Sequence, residues 1–268
     1  MLAAERQRAI VASLQAQQVV TVADLCQRFA VSANTIRRDL RALEQSRVVT
    51  VVHGGALSNE SKDTEIPFPK RQASAVNEKM RIGARAAQLV EDGEAIILDA
   101  GTTTHEIAKA LRCRQDLTVI TNAINIAQEL ADCPGVVIIL SGGVVRAKSN
   151  CLVGQTAERT LSEWHVARAF ISAGGVEVES GLTNPNPFEA TVKQAMIRAA
   201  RQVVLVAAGD KFGRRSLAPF APLSAVHTIV TDDSLPDDIA ASIRSLGIEL
   251  IIVAADDSGV QNNGRLAP

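Results

Sequence analysis

The sequence of 268 residues predicts an α/β protein in two parts, a small helical head and a larger body around a mainly parallel sheet. Three observations predict it. The length exceeds that of a single small module and suits two domains of roughly 100–200 residues each. Through the head, apolar residues recur every three to four positions, the period of amphipathic helices. From Ala95 onward, short apolar runs of strand length alternate with helical stretches, the pattern of a parallel sheet covered on both faces. With 47% hydrophobic residues the chain can bury a sizeable core, which excludes a disordered protein.

A first helix is expected over residues 4–16, with Ile10 and Leu14 one turn apart. Thr21 followed by Asp24 marks an N-cap with an acid in the first turn. Val22, Leu25, Cys26 and Phe29 then line one face of a second helix. Ala30-Val31 turns the chain, Ser32 caps a third helix, and Ile36, Leu40 and Leu43 form its inward stripe. Two short helices joined by a turn of about three residues make a helix-turn-helix. Opposite the apolar stripe fall Asn34, Arg38, Arg41 and Gln45, with Thr35 and Arg37 on the flanks. Amides and guanidiniums near a helix N-terminus suit the major groove of duplex DNA, where Asn pairs with adenine and Arg with guanine or phosphate. Val48–Val52 reads as a strand and His53-Gly54-Gly55 as a tight turn, together a wing. The candidate DNA contacts are Ser32, Asn34, Thr35, Arg37, Arg38, Arg41 and His53. A head used for protein contacts is the competing reading.

The formal net charge of −1 hides an asymmetry. Residues 1–55 carry seven Arg against four acids, whereas the remainder carries four more acids than bases. A basic head on an acidic body points to a polyanion partner for the head alone. With no tyrosine and 3% aromatic residues, a single-strand binder that works by base stacking is disfavoured. No apolar run approaches the ~18 residues of a membrane helix, and the N-terminus lacks the order of a secretory signal. Cys26, Cys113, Cys133 and Cys151 show no C-x-x-C spacing and read as reduced thiols of a cytoplasmic protein.

Residues 1–57 are assigned to the head, 58–78 to a polar linker containing Pro67 and Pro69, and 79–268 to the body, whose first helix opens near Asn77 and runs to about Val90. Seven strands are expected, at Ala95–Leu98, Leu117–Ile120, Val136–Leu140, Ala169–Ser172, Val203–Ala207, Thr228–Val230 and Glu249–Val253. Helices between them include Thr104–Leu111, Ile124–Leu130, Phe188–Ala200 and Asp237–Leu246. The residues after the strands are distinctive: Asp99-Ala-Gly101-Thr102-Thr103-Thr104, Thr121-Asn122, Ser141-Gly142-Gly143, Ala173-Gly174-Gly175 and Gly209-Asp210-Lys211. In an open α/β sheet the carboxyl ends of the strands share one crevice, the usual ligand site. Hydroxyls and free amides at a helix N-terminus there favour an anion. Glu189 and Lys193, four apart on one helix face, read as a stabilising ion pair beside that crevice. No phosphate-loop, nucleophile-elbow or zinc-protease motif occurs. His53, His105, His165 and His227 lack metal-ligand spacing, so no metal and no cofactor is expected.

The segments Arg6-Gln-Arg8-Ala-Ile10, Val31-Ser-Ala-Asn-Thr-Ile-Arg-Arg-Asp-Leu40 and His53-Gly-Gly-Ala56 resemble the DeoR family of bacterial transcriptional regulators. The resemblance continues through Asp99–Thr104, Thr121-Asn122, Ser141–Gly143 and Lys211-Phe-Gly213, over nearly the whole chain. It implies a winged helix-turn-helix followed by a sensor domain similar in fold to ribose-5-phosphate isomerase and coenzyme A transferases. It also implies a repressor of carbohydrate genes that binds a double-stranded operator and a phosphorylated sugar. The effector residues so implied or read from the strand ends are Asp99, Gly101, Thr102, Thr103, Thr104, Asn122, Gly142, Gly143, Gly174, Glu189, Lys193 and Lys211. The isomerases carry paired acids after the fourth strand where this chain offers Glu177 alone, so paired acid/base work is not expected. The alternative is a sugar-phosphate isomerase or transferase-like enzyme with an accessory helical domain. A head that reads one half-site implies a homodimer or homotetramer.

Overall fold

The computed structural model describes residues 3–17, 19–45, 49–52, 55–58 and 65–255. The chain divides into two compact units, Met1–Thr64 and Glu65–Pro268.

The first unit contains α1 (Ala3–Gln17), β1 (Val19–Thr21), α2 (Val22–Phe29), α3 (Ala33–Gln45), β2 (Val49–Val52) and β3 (Gly55–Ser58). Thr21 caps α2 as expected, its hydroxyl accepting from the Asp24 amide at 3.1 Å, and Ala30 ends that helix in the left-handed region at φ 51°. Ile10, Leu14, Leu25, Ile36, Leu40 and Leu43 form the head's core. Arg6 of α1 reaches Asp39 of α3 at 2.6 Å, both groups buried. Arg28 of α2 donates to Ser13 of α1 at 2.8 Å. The antiparallel hairpin β2–β3 is the wing, and β1 adds to it in the order β1-β3-β2. The part of the predicted turn at His53 and Gly54 lies outside the described residues.

The second unit opens with α4 (Phe68–Gln72) and α5 (Val76–Ala87), so the stretch drawn as linker belongs to this unit from Glu65 onward. Buried Phe68 anchors it: its amide donates to the Lys148 carbonyl at 2.8 Å. There follow β4 (Ala95–Leu98), α6 (Thr102–Ala110), β5 (Leu117–Thr121), α7 (Ile124–Leu130) and β6 (Val136–Leu140). A hairpin, β7 (Val144–Arg146) and β8 (Cys151–Val153), leads to α8 (Gln155–Ser162) and β9 (Val166–Ile171). Next come β10 (Gly175–Glu177), β11 (Gly181–Asn184), α9 (Pro187–Ala199), β12 (Ala200–Val206) and β13 (Ala218–Ala221). The chain continues through β14 (Thr228–Asp232), α10 (Asp237–Ser245) and β15 (Glu249–Val253).

All seven expected strands join one sheet in the order β15-β14-β12-β9-β4-β5-β6, every pair parallel. Their apolar side chains and those of the covering helices make one core. From β4 the chain winds outward through β5 to β6, then returns to β9 on the other side of β4 and winds the opposite way. The sheet therefore has a topological switch point between β4 and β9, where such sheets open a ligand crevice. A second, antiparallel sheet, β10-β11-β13, adjoins α9.

Candidate functional site

The recognition face of α3 is exposed. Ser32 caps the helix, accepting from the Thr35 amide at 3.3 Å and lying 3.0 Å from its hydroxyl. Asn34, Arg37, Arg38 and Arg41 are exposed, Thr35 is half-buried, and Ile36 and Leu40 are fully buried beneath them. Arg37 donates to Asn34 at 3.4 Å, and among the described residues no ion pair occupies Arg37, Arg38 or Arg41. Guanidiniums so presented are available to phosphate or base edges. The side chain of Gln45 and all of His53 lie outside the described residues.

At the switch point, Asp99 directly follows β4 and is 1% exposed. Its Oδ2 accepts from the Ser172 amide at 2.9 Å and the Ser172 hydroxyl at 2.7 Å, and from the Lys193 ammonium. Lys193, 2% exposed, also donates to the Ser172 carbonyl at 3.0 Å and hydroxyl at 3.2 Å, and lies 5.7 Å from the centre of the Phe220 ring. The expected Glu189–Lys193 ion pair is therefore replaced: Lys193 turns to the end of β4, and Glu189 pairs with Arg146 at 2.9 Å. Asn122 braces the same loop, accepting from the Ala100 amide at 3.0 Å and donating to the Leu152 carbonyl at 3.1 Å.

Helix α6 begins at Thr102, two residues before the expected start, with Gly101 as its cap. The first amides of a helix have no partner within it, and here the first bond to the cap carbonyl comes from His105. A Cβ on Gly101 would lie 2.8 Å from the Ser172 hydroxyl and 2.9 Å from that of Thr104, so only glycine lets the helix end approach Ser172 this closely. Thr102 and Thr103 are largely buried, and the Thr104 hydroxyl folds back to the Gly101 carbonyl at 3.1 Å. Gly174 follows β9 with a Cβ position 2.6 Å from Pro185. Gly142 and Gly143, at φ 68° and 115°, turn the chain from β6 into β7.

Lys211 stands apart from this group. Its ammonium lies 3.3 Å from Asp210, and among the described residues no hydrogen bond or ion pair links it to Thr102–Thr104. Its positive charge acts on Lys79. Lys79 is buried at the start of α5, donating to the carbonyls of Arg71 and Ser74. Burial, then the positive charges of Lys211 and Arg71, push its pKa below the usual lysine value. Ser172 and Arg146 were missed, because the carboxylates they bind lie far off in sequence, Asp99 at 73 residues from Ser172, and Glu189 and Glu65 at 43 and 81 from Arg146.

Glu189 is 8% exposed. Burial opposes its charge, yet Ser149, Lys193, Asn184 and Arg146 together hold its carboxyl below the usual range. Burial, reinforced by Glu189, pushes the Cys151 thiol up to about 12, so it is a neutral thiol and a poor nucleophile. Among the described residues no group of His, Cys, Asp or Glu is placed to hold a metal ion, and no helix is long and apolar enough to cross a membrane.

A helix-turn-helix with an exposed guanidinium face, joined to an α/β unit with a polar switch point, defines a two-domain DNA-binding regulator. Residues 6–62 match the DeoR-like helix-turn-helix domain and residues 74–233 the DeoR C-terminal sensor domain. The HTH-type transcriptional regulator YulB of Bacillus subtilis is 38% identical over 95% of this chain and 97% of its own. The transcriptional repressor GlcR of the same organism is 34% identical over 94% and 97%, and the regulator GlpR of Haloferax volcanii 36% over 94% and 98%. The chain belongs to the DeoR family. It is a DNA-binding transcriptional regulator with operator DNA as its partner, and the reading as an enzyme with an accessory domain is set aside. Among solved structures, the ribose 5-phosphate isomerase A of Methanocaldococcus jannaschii overlaps 50% of this chain and 53% of its own at TM-score 0.38 and 18% identity.

Proposed function

We propose that the body senses a phosphorylated sugar in the crevice between β4 and β9, and that its binding releases the head from operators of carbohydrate-metabolism genes. One observation carries this reading: the open N-terminus of α6 sits against Ser172, which is itself bound by the Lys193 ammonium. The positive end of a helix and an ammonium converge there against the single carboxylate of Asp99. An additional dianion is stabilised by that arrangement. Lys211, half-exposed beside Asp210, adds a further positive charge for the phosphate. Glu189 and Asn122 supply acceptors for sugar hydroxyls. The proposed effector contacts are Asp99, Gly101, Thr102, Thr103, Thr104, Asn122, Gly142, Gly143, Gly174, Glu189, Lys193 and Lys211. Ser32, Asn34, Thr35, Arg37, Arg38, Arg41 and His53 are the proposed DNA contacts. The active species is a dimer or tetramer in the cytoplasm, since one winged head reads one half-site.

A thermal-shift screen of pentose and hexose phosphates tests the sensor, because a ligand of the native state raises its melting temperature. At least one phosphorylated sugar is expected to raise it, its unphosphorylated parent much less. Lys211→Ala removes a charge-assisted bond worth about 1.5–3 kcal/mol and weakens that ligand roughly tenfold or more. A panel in which no sugar phosphate shifts the wild type overturns the reading.

A further inference from the structure

Five largely buried charges of the second unit fall into two bonded groups, Glu65–Arg146–Glu189 and Lys193–Asp99, brought side by side by α9. Arg146, at the end of β7, grips both oxygens of Glu65 with its two terminal nitrogens. The same Arg146 donates to Glu189 Oε1 at 2.9 Å and to the Ser149 hydroxyl at 3.0 Å. Glu189 accepts from Asn184 at 3.1 Å on its other oxygen. One turn along α9, Lys193 is bound to Asp99 and Ser172. Read in order, Glu65, Arg146, Glu189, Lys193 and Asp99 alternate in sign, and all five are largely buried.

The position of Glu65 gives the first group its meaning. It is the first residue of the second unit, immediately after the chain leaves the unit that carries the recognition helix. Three residues on, the Phe68 amide is tied to the Lys148 carbonyl, two residues past Arg146. Arg146 thus holds the first residue of the body with one set of contacts and the Glu189 carboxylate with another. A guanidinium shared between two carboxylates cannot change its bond to one without changing its bond to the other.

We propose that Arg146 is a positioning residue that couples the crevice, through Glu189, to the point where the chain enters the body, through Glu65. This rests on the reading of Glu189 as part of the sensor site. A sugar hydroxyl that donates to Glu189 draws its charge from Arg146, and the grip on Glu65 changes with it. The device supplies what sensing requires, a structural element whose state both the crevice and the head's tether bias.

A double-mutant cycle tests the coupling without any effector. Wild type, Glu65→Gln, Glu189→Gln and the double variant, all full-length, are titrated at fixed salt against a duplex operator selected from random DNA with the wild type. Coupled residues are expected to give a double variant at least about threefold away from the product of the single effects. Arg146→Lys keeps the charge but loses the fork, and is expected to remove the non-additivity when built into the cycle. In parallel, deuterium uptake at the Phe68 amide is expected to rise in Glu189→Gln relative to wild type, a readout that needs no DNA. Independent, multiplying effects together with unchanged Phe68 protection overturn the proposal. Because no ligand is present, coupling alongside a silent sugar-phosphate screen would retire the effector and keep the device, and the converse result would do the opposite.

Discussion

Lys193 has three N–H donors, and oxygens of Asp99 and Ser172 meet them inside the protein. A buried ammonium is tolerable only when paired and fully hydrogen-bonded in this way. The sequence showed Glu189 and Lys193 four apart and favoured pairing between them. It could not show that strands 94 residues away in sequence would bring Asp99 closer. By contrast, the reading face of α3 was legible, because helical periodicity alone separates Arg38 and Arg41 from Ile36 and Leu40. Arg38→Ala is expected to lower affinity for the selected operator about tenfold to a hundredfold, the loss of a base contact of about 1–3 kcal/mol. Its circular dichroism should be unchanged. Arg37→Ala and Arg41→Ala should weaken all sequences more evenly, as phosphate contacts do. Equal affinity of Arg38→Ala and wild type in gel-shift titration would remove Arg38 from the interface. The cysteines give a simpler check. Cys151 is buried with its pKa raised to about 12, whereas Cys113 is exposed. Iodoacetamide at pH 8 should label Cys113 in the native protein and leave Cys151 unmodified, as read by peptide mass spectrometry. Rapid labelling of Cys151 would show that its surroundings open.

Helix α6 links the crevice to the stability of the body. Its first turn forms the candidate anion site, and His105, in the same turn, lies 3.2 Å from Glu129 of α7. Burial, then the nearby Lys109, lowers the His105 pKa, while Glu129 opposes the shift. The folded state therefore resists a proton that the unfolded chain accepts near pH 6.5. The stability from this group is complete above that pH and is lost as pH falls through the folded value. Melting temperature is expected to fall more between pH 7.5 and 5.5 in wild type than in His105→Gln, which stays neutral. Parallel profiles would show that His105 is not the titrating group. At this scale the seven strands of the main sheet were legible because runs rich in Val, Ile and Leu mark strands buried on both faces. The short strands β7, β8, β10, β11 and β13 were not, since three or four residues carry too little periodicity to register. Helix α8 was also missed, and the start of α6 was placed late because threonines at a helix N-terminus resemble loop residues.

For the whole molecule, the division of labour follows from charge and topology. The basic head carries the exposed guanidiniums, and the acidic body carries the switch point and keeps nonspecific affinity for DNA low. Strand order is what no local pattern in the sequence could convey: the switch point exists because β9 returns beside β4 instead of continuing past β6. Operator binding and the proposed sugar-phosphate sensing are expected to be joined in one chain. Fluorescence anisotropy of the selected operator duplex, titrated with wild type at fixed salt in the presence of each sugar phosphate, tests it most directly. At least one phosphorylated sugar should weaken operator binding by about fivefold or more, the range of ordinary allosteric coupling, and its unphosphorylated parent should not. Lys211→Ala should bind the operator as wild type does and need roughly tenfold more of that compound for release. Operator affinity that no sugar phosphate alters, or a Lys211→Ala variant released at the wild-type concentration, would contradict the account.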